Sequence, residues 1–338
     1  MPTAKNSKIE IETGRTLNDF AVMTDSGDNQ IFTISGGDVW SGKSGSEPDV
    51  RPNGITSGRN LLSPGTTNDT VRVAAFTSYS KSVEQSPAAT SVTFPRPTSG
   101  GNYKTISVTM ASDGSITKVA GTENASQSEV RNAAGGPPYI PVNDVELGQV
   151  RVSSSTAAVV TTDELYQVVG QHTEQYDSPT WDENNIGDGE SAESAAQKNA
   201  YVKFLSALPL IHTAGVAKKI FIKYYAPIFS EVSKALEFSP CELSHSVTSQ
   251  EFYRGAVASV AESVGQGSFT ALLNDGLTDS LVSEKNNVIT VRQYPDINRN
   301  PFSLTQGKLG IARTFPVAGQ IQAECTISAE TGSAEFSS

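Results

Sequence analysis

The chain is poor in almost every feature by which an enzyme or a disulfide-stapled scaffold is recognised. Its 338 residues hold two cysteines, Cys241 and Cys325, and three histidines, His172, His212 and His245, set far apart. Two cysteines cannot make a disulfide framework, so buried thiols are expected. No histidine has a second ligand at metal spacing, and none is paired by sequence with a nucleophile. Charged residues make up 18% and apolar residues 37%, both below the usual share. No apolar run approaches the length of a bilayer span. Met1-Pro2-Thr3-Ala4-Lys5 has no apolar core, so no secretory signal is expected there, and the sequons at Asn68 and Asn124 read as chance matches. A net charge of −11 leaves no basic stripe of the kind that displaces counterions from nucleic acid.

Ser, Thr, Gly, Asn and Gln fill the gap, a composition of turns and short strands with hydroxyls on solvated faces. The clearest pattern is Gln320 to Ala329. Ile321, Ala323, Cys325, Ile327 and Ala329 alternate with Gln320, Gln322, Glu324, Thr326 and Ser328, which is the period of a half-buried strand. Leu309, Ile311, Phe315 and Val317, interrupted by Arg313, follow the same rule, and Pro316 and Gly319 supply a bend. Ile106, Val108 and Met110 alternate with Ser107 and Thr109, and Asp113-Gly114 closes a hairpin into Ile116 to Val119. Ile220, Ile222 and Tyr224 alternate beside an equally apolar Phe221 and Tyr225, a strand covered on both faces. One helix is predicted, at about 190–208, capped by Asp188 or Ser191, repeating through Ala196, Ala200 and Phe204, and stopped by Pro209. Glu251 to Leu273 suits helix or strand. Gly36 to Pro64 is predicted to be an extended loop or arm.

Three motifs match known chemistry in their letters. Gly37-Asp38-Val39-Trp40-Ser41-Gly42-Lys43-Ser44 has the spacing of a phosphate loop, whose Lys and Ser must open a helix. Gly45, Pro48, Pro52, Gly54 and Gly58 follow instead, so a Gly/Ser loop is expected. Asp182, Asn184, Gly187, Asp188, Glu190 and Glu193 fall on calcium-loop positions, but Ile186 occupies a ligand position and Pro179 spoils the incoming helix. Gly265-Gln266-Gly267 lacks the β-α-β setting of a dinucleotide fingerprint. The cluster Phe221, Tyr224, Tyr225 and Phe229 reads as packing. No enzyme activity, cofactor or metal follows from these residues.

Two segments carry a resemblance. One is Gly135-Gly136-Pro137-Pro138-Tyr139-Ile140-Pro141-Val142, running into Glu146-Leu147-Gly148-Gln149-Val150-Arg151, Ala157 to Val160 and Asp163-Glu164-Leu165. The other is Leu304 to Gly319. Both resemble structural proteins of tailed-bacteriophage tails, most closely the major tail (tail tube) protein of long-tailed phages, over about a third of the chain. The resemblance implies a mainly β fold, a β-sandwich or barrel-like pair of sheets with one flanking α-helix and long loops or arms. It implies self-association: six copies close a ring, and rings stack through arms into a hollow virion tail. The lumen then passes DNA and holds the tape measure protein, without membrane insertion.

On that reading residues 1–70 are N-terminal strands and the Gly/Pro-rich arm, 71–145 a β-rich module or enlarged loops, and 146–338 the tube-type sandwich. Six copies at −11 each would carry −66, and a lumen sharing that charge would repel phosphates so that DNA slides. The polar side of the last strand, Gln320, Gln322, Glu324 and Thr326, is the candidate lumen face. Three rivals remain open: a capsid decoration or tail terminator protein, a β-sandwich binding module using Trp40 or Trp181, and a nucleotide-dependent enzyme acting through Lys43.

Overall fold

A computed structural model of the chain describes residues 6–34, 39–58, 60–167, 181–187, 201–213, 216–252, 255–330 and 332–336. The fold is mainly β, as the alternating patterns require. The N-terminal part forms β1 (Lys8–Val22), β2 (Thr24–Asp25) and β3 (Ile31–Thr33). The Gly/Pro-rich segment supplies β4 (Asp49–Pro52), β5 (Gly54–Ser57) and β6 (Leu62–Pro64). Short strands follow: β7 (Thr70–Val73), β8 (Thr77–Ser80), β9 (Val83–Gln85) and β10 (Thr90–Thr93). Then come β11 (Lys104–Met110), β12 (Ile116–Ala120) and β13 (Val145–Val152). The middle of the chain adds β14 (Trp181–Gly187), β15 (Tyr201–Phe204), β16 (Ile220–Glu231) and β17 (Ala235–Ser239). Beyond these are β18 (Leu243–Phe252), β19 (Gly255–Val264) and β20 (Gly267–Leu273). One helical turn, α1 (Ser280–Ser283), precedes β21 (Val288–Tyr294), β22 (Phe302–Thr314), β23 (Ile321–Ser328) and β24 (Ala334–Phe336).

The frame is a nine-stranded antiparallel sheet in the order β17-β20-β23-β22-β21-β1-β16-β4, with β24 paired to β22. One face of six of these strands converges on a single core. Ile9 and Ile11 of β1 meet Phe269 of β20, Val291 of β21, Leu309 and Ile311 of β22, and Cys325 and Ile327 of β23. A sheet whose separated strands share one core must curl, and Val232 N reaches Ile9 O at 2.8 Å to bring the β17 end back against β1. A second core lies where the sheet β14-β15-β3-β2 covers the β16 end, with Phe32, Trp40, Phe204, Ile220 and Ile222 buried together. At that end Phe221 on the opposite face is buried as well, but from Tyr225 onward β16 is half-buried or exposed, so only its start is covered on both faces. A third core, built from Ile55 through Leu165, holds the three-stranded sheets β12-β11-β13, β10-β7-β6 and β5-β8-β9.

Three expectations change. Tyr201–Phe204 of the predicted helix is strand and residues 205–208 are irregular, while 188–200 lie outside the described residues. Pairing decides this: Val202 faces Phe32 across β3, and the Phe32 and Phe204 rings meet edge-on at 5.6 Å. The segment 39–64 is no free arm, because Val39, Trp40, Val50, Ile55, Leu61 and Leu62 are buried. Single apolar residues spaced between glycines and prolines are enough to bind it down. Finally, β22 stops at Thr314, leaving Phe315 and Val317 exposed on the turn.

Lys218, on the segment entering β16, is buried, and burial pushes its pKa down to about 7 against the attraction of Glu146. Glu146 also accepts from Ser107 Oγ at 2.7 Å and pairs with Arg131. Between about 7 and the ordinary 10.5, the unfolded chain keeps a proton that the folded chain has released. Stability therefore rises with pH in that window, by up to about 1.4 kcal/mol per pH unit, and this contribution is flat below it. Lys218→Met should remove that slope, so the stability gap between variant and wild type should change steadily in urea titrations run from neutral to alkaline pH. A gap independent of pH would mean that Lys218 reaches water.

Candidate functional site

Two exposed surfaces stand out, and both grow from β20 and its neighbours. Within the large sheet β17 pairs with β20, Ala235 opposite Ala271 and Ser239 opposite Ser268. Past Pro240–Glu242 on one side and Gly265–Gln266 on the other, the same two chain segments leave the sheet and continue as β18 and β19. They pair from Leu243↔Val264 to Phe252↔Gly255, a ribbon about 34 Å long at the usual strand rise. Its root is clamped. Cys241 N donates to Ser333 Oγ at 2.9 Å, Gly267 N to Cys241 Sγ at 3.1 Å, and Gly265 N to Glu242 O at 2.8 Å. The shaft is not, for among the described residues no third strand pairs with it.

The ribbon is two-faced. Leu243, Val247, Val260 and Val264 share one side with the facing pair His245 and Glu262 between them, and Ser244, Ser246, Thr248, Ala261 and Ser263 share the other. Ser244 and Ser263 join hydroxyls across the strands at 2.8 Å. On the apolar side Val247 is 68% exposed and its partner Val260 67%. An isolated two-stranded hairpin is marginal in water, and the exposed facing pair Val247 and Val260 beyond His245 and Glu262 suits a contact surface. Among the described residues neither outer edge has a further strand beside it, an invitation to strands from elsewhere.

The second surface is the solvated face of β20, β23 and β22. Register places Thr326 between Ser268 and Gly310, Glu324 between Thr270 and Ala312, and Gln322 between Leu272 and Thr314. Gln320, Gln322 and Glu324 are exposed and Thr326 half-buried, all on this side or on the turn leading to it. The four residues singled out from sequence therefore lie together at the surface, on a face of small and hydroxyl side chains.

The remaining motifs resolve into structure. The loop after Val39 is a strap across the outer face of β1, β21 and β22. Ser41 Oγ donates to the buried Glu12 carboxylate, Thr290 N donates to its other oxygen at 3.0 Å, and Lys43 Nζ pairs with Glu284 at 2.9 Å. Gly42 approaches closely there, since a Cβ would lie 2.7 Å from Gln306 Nε2 and make that side chain shift. No helix follows Ser44, so the dipole that a phosphate loop uses is missing. Of the calcium-like series, Asp182 to Gly187 runs as strand β14, and Asp188, Glu190 and Glu193 lie outside the described residues. His212 is buried with Nδ1 donating to Pro141 O at 3.2 Å, and burial lowers its pKa. His245 sits on the ribbon, and His172 lies outside the described residues. Among the described residues no group of His, Cys, Asp and Glu could hold a metal ion, and no helix is long and apolar enough to cross a membrane.

Sequence reasoning missed the ribbon. Its period-two alternation from Leu243 to Val247 was available, but the valines from 257 to 264 also fit a helical period.

Hydrogen exchange of dilute protein should find the β18–β19 amides beyond the Leu243–Val264 root exchanging at least about 100-fold faster than those of β22–β23, because Val264 at the root is the one residue of the ribbon seen packed on a core among the described residues. Equal protection in the two regions would show the ribbon packed against its own chain. Comparison with family models, with curated proteins and with solved structures returns no match.

Proposed function

We propose that this chain is a structural virion subunit, a major tail tube protein whose copies form stacked rings around a conduit for DNA. The observation that carries this reading is the β18–β19 ribbon: a rooted arm to which no third described strand pairs and whose facing Val247 and Val260 stand exposed. Each face of the ribbon offers about 340 Å², so burying both comes near the ~800 Å² per partner of a stable interface. A second copy is the occupant, since a symmetric assembly supplies the same receptor to every arm and closes every open edge.

The polar face carrying Gln320, Gln322, Glu324 and Thr326 then lines the channel. Hydroxyls, amides and a carboxylate keep that wall wet, and the net −11 of each subunit discourages phosphates from adhering. DNA and the tape measure protein pass or rest there without specific binding. Nothing in this reading needs a cofactor or turnover. The strap at Ser41–Lys43 is occupied in holding the sheet, which weighs against the rival reading of Lys43 as a nucleotide-site lysine.

Negative-stain microscopy of concentrated protein should show hollow tubes of stacked rings. Replacing residues 243–264 by a short Gly-Asn-Gly turn should leave a folded protein, with a melting temperature within about 4 °C of wild type, that sediments as a monomer. Wild type that stays monomeric at high concentration, or that stops at isolated rings or trimers, would overturn the tube.

A further inference from the structure

We propose that the cleft beside the strap binds a short polyanion, a chain of linked phosphates. The cleft has a volume of about 510 Å³ and is lined by Arg15 from β1, Lys43 and Ser44 from the strap, Asn286 and Asn287 ahead of β21, and Lys308 from β22. Four separate stretches of chain thus deliver three cations to one cavity of ligand size. In a chain with 36 acidic and 25 basic residues this concentration of positive charge is the exception. The cations are only partly neutralised. Lys43 pairs with Glu284 at 2.9 Å, but among the described residues neither Arg15 nor Lys308 has a carboxylate partner.

The groups are also held in place. Arg15 Nη1 donates to Ser44 O at 3.2 Å and to Ser46 Oγ, and its guanidinium lies 4.5 Å over the Tyr225 ring. Asn287 Nδ2 donates to Glu284 Oε2 at 3.1 Å, tying the asparagine to the carboxylate that anchors Lys43. Bringing like charges together costs energy that an anion between them would recover. Among the described residues Val288 is the one large apolar side chain of the lining, and no aromatic ring lines it to stack a base. Recognition is therefore of the phosphate chain and not of a nucleoside. It differs from a phosphate loop, because side chains of three elements replace the helix amides.

The test is calorimetric titration of the full chain with tripolyphosphate, orthophosphate, ATP and a short DNA duplex at low salt. Tripolyphosphate should give saturable heat, with ATP binding no more tightly and orthophosphate more weakly. Arg15→Gln and Lys308→Gln should each weaken tripolyphosphate about 10-fold, and added salt should weaken it further by screening. Lys308 is exposed, so that variant should melt like wild type, which separates loss of binding from loss of fold. The proposal fails if tripolyphosphate gives no saturable heat, if the variants bind it like wild type, if ATP binds about 10-fold more tightly, or if only the duplex binds.

Discussion

The large sheet depends on one strand. β1 runs between β16 and β21, pairing Glu10 with Glu231 on one side and with Arg292 on the other. Without it the sheet would fall into two pieces, β17 to β21 and β16 with β4, each with a raw edge. Ordinary alternation lets the same strand serve both faces, and a register shift follows between Glu12 and Gly14. Ile9 and Ile11 enter the curled core, while Glu12 is buried toward the strap. That carboxylate has each oxygen hydrogen-bonded, which is the condition for keeping it out of water. The position of Lys43, and with it one wall of the basic cleft, is tied to this carboxylate through Ser41 and to Glu284 directly.

How much of this was legible depends on how local the deciding forces are. β23 could be read directly because burial on one face and exposure on the other act at every second residue, and Ala323, Cys325 and Ile327 are all buried. The start of β16 was legible for the complementary reason, apolar residues on both faces. The predicted helix failed at Tyr201–Phe204 because Phe204 and Leu208 fit a spacing of four by coincidence. Both are buried while Leu205 between them is exposed, and the contact with Phe32 comes from a strand some 170 residues earlier. Gly36 to Pro64 misled in the opposite direction. Glycine and proline mark bends, but they say nothing of whether Trp40 or Leu61 between the bends finds a core. The four-residue polar face needed only periodicity, whereas the exposure of Val247 and Val260 depends on what lies above them in space, which no local pattern encodes.

The two proposed surfaces divide the electrostatics of the chain. The hydroxyl-rich face around Glu324 has small side chains and little to grip a polyelectrolyte. The cleft at Arg15, Lys43 and Lys308 gathers positive charge at one border of that same outer face, since Lys308 sits two residues from Gly310 on β22 and opposite Ser328. An acidic protein with one local basic focus can exclude long phosphate polymers from most of its surface while still retaining a short one at a point.

Both native thiols are out of reach. Cys325 is buried, and burial raises its pKa to about 12; Cys241 is buried at the ribbon root, where its sulfur lies 3.6 Å from Ile327 O. With thiolate formation suppressed at Cys325 and solvent shut out at Cys241, neither should react with maleimides while the fold holds. A single cysteine placed at the ribbon tip would then be the one reactive sulfur in the molecule. The native sequence is thereby a ready background for fluorophores or spin labels placed on the ribbon, whose signal would change if a second copy covered it.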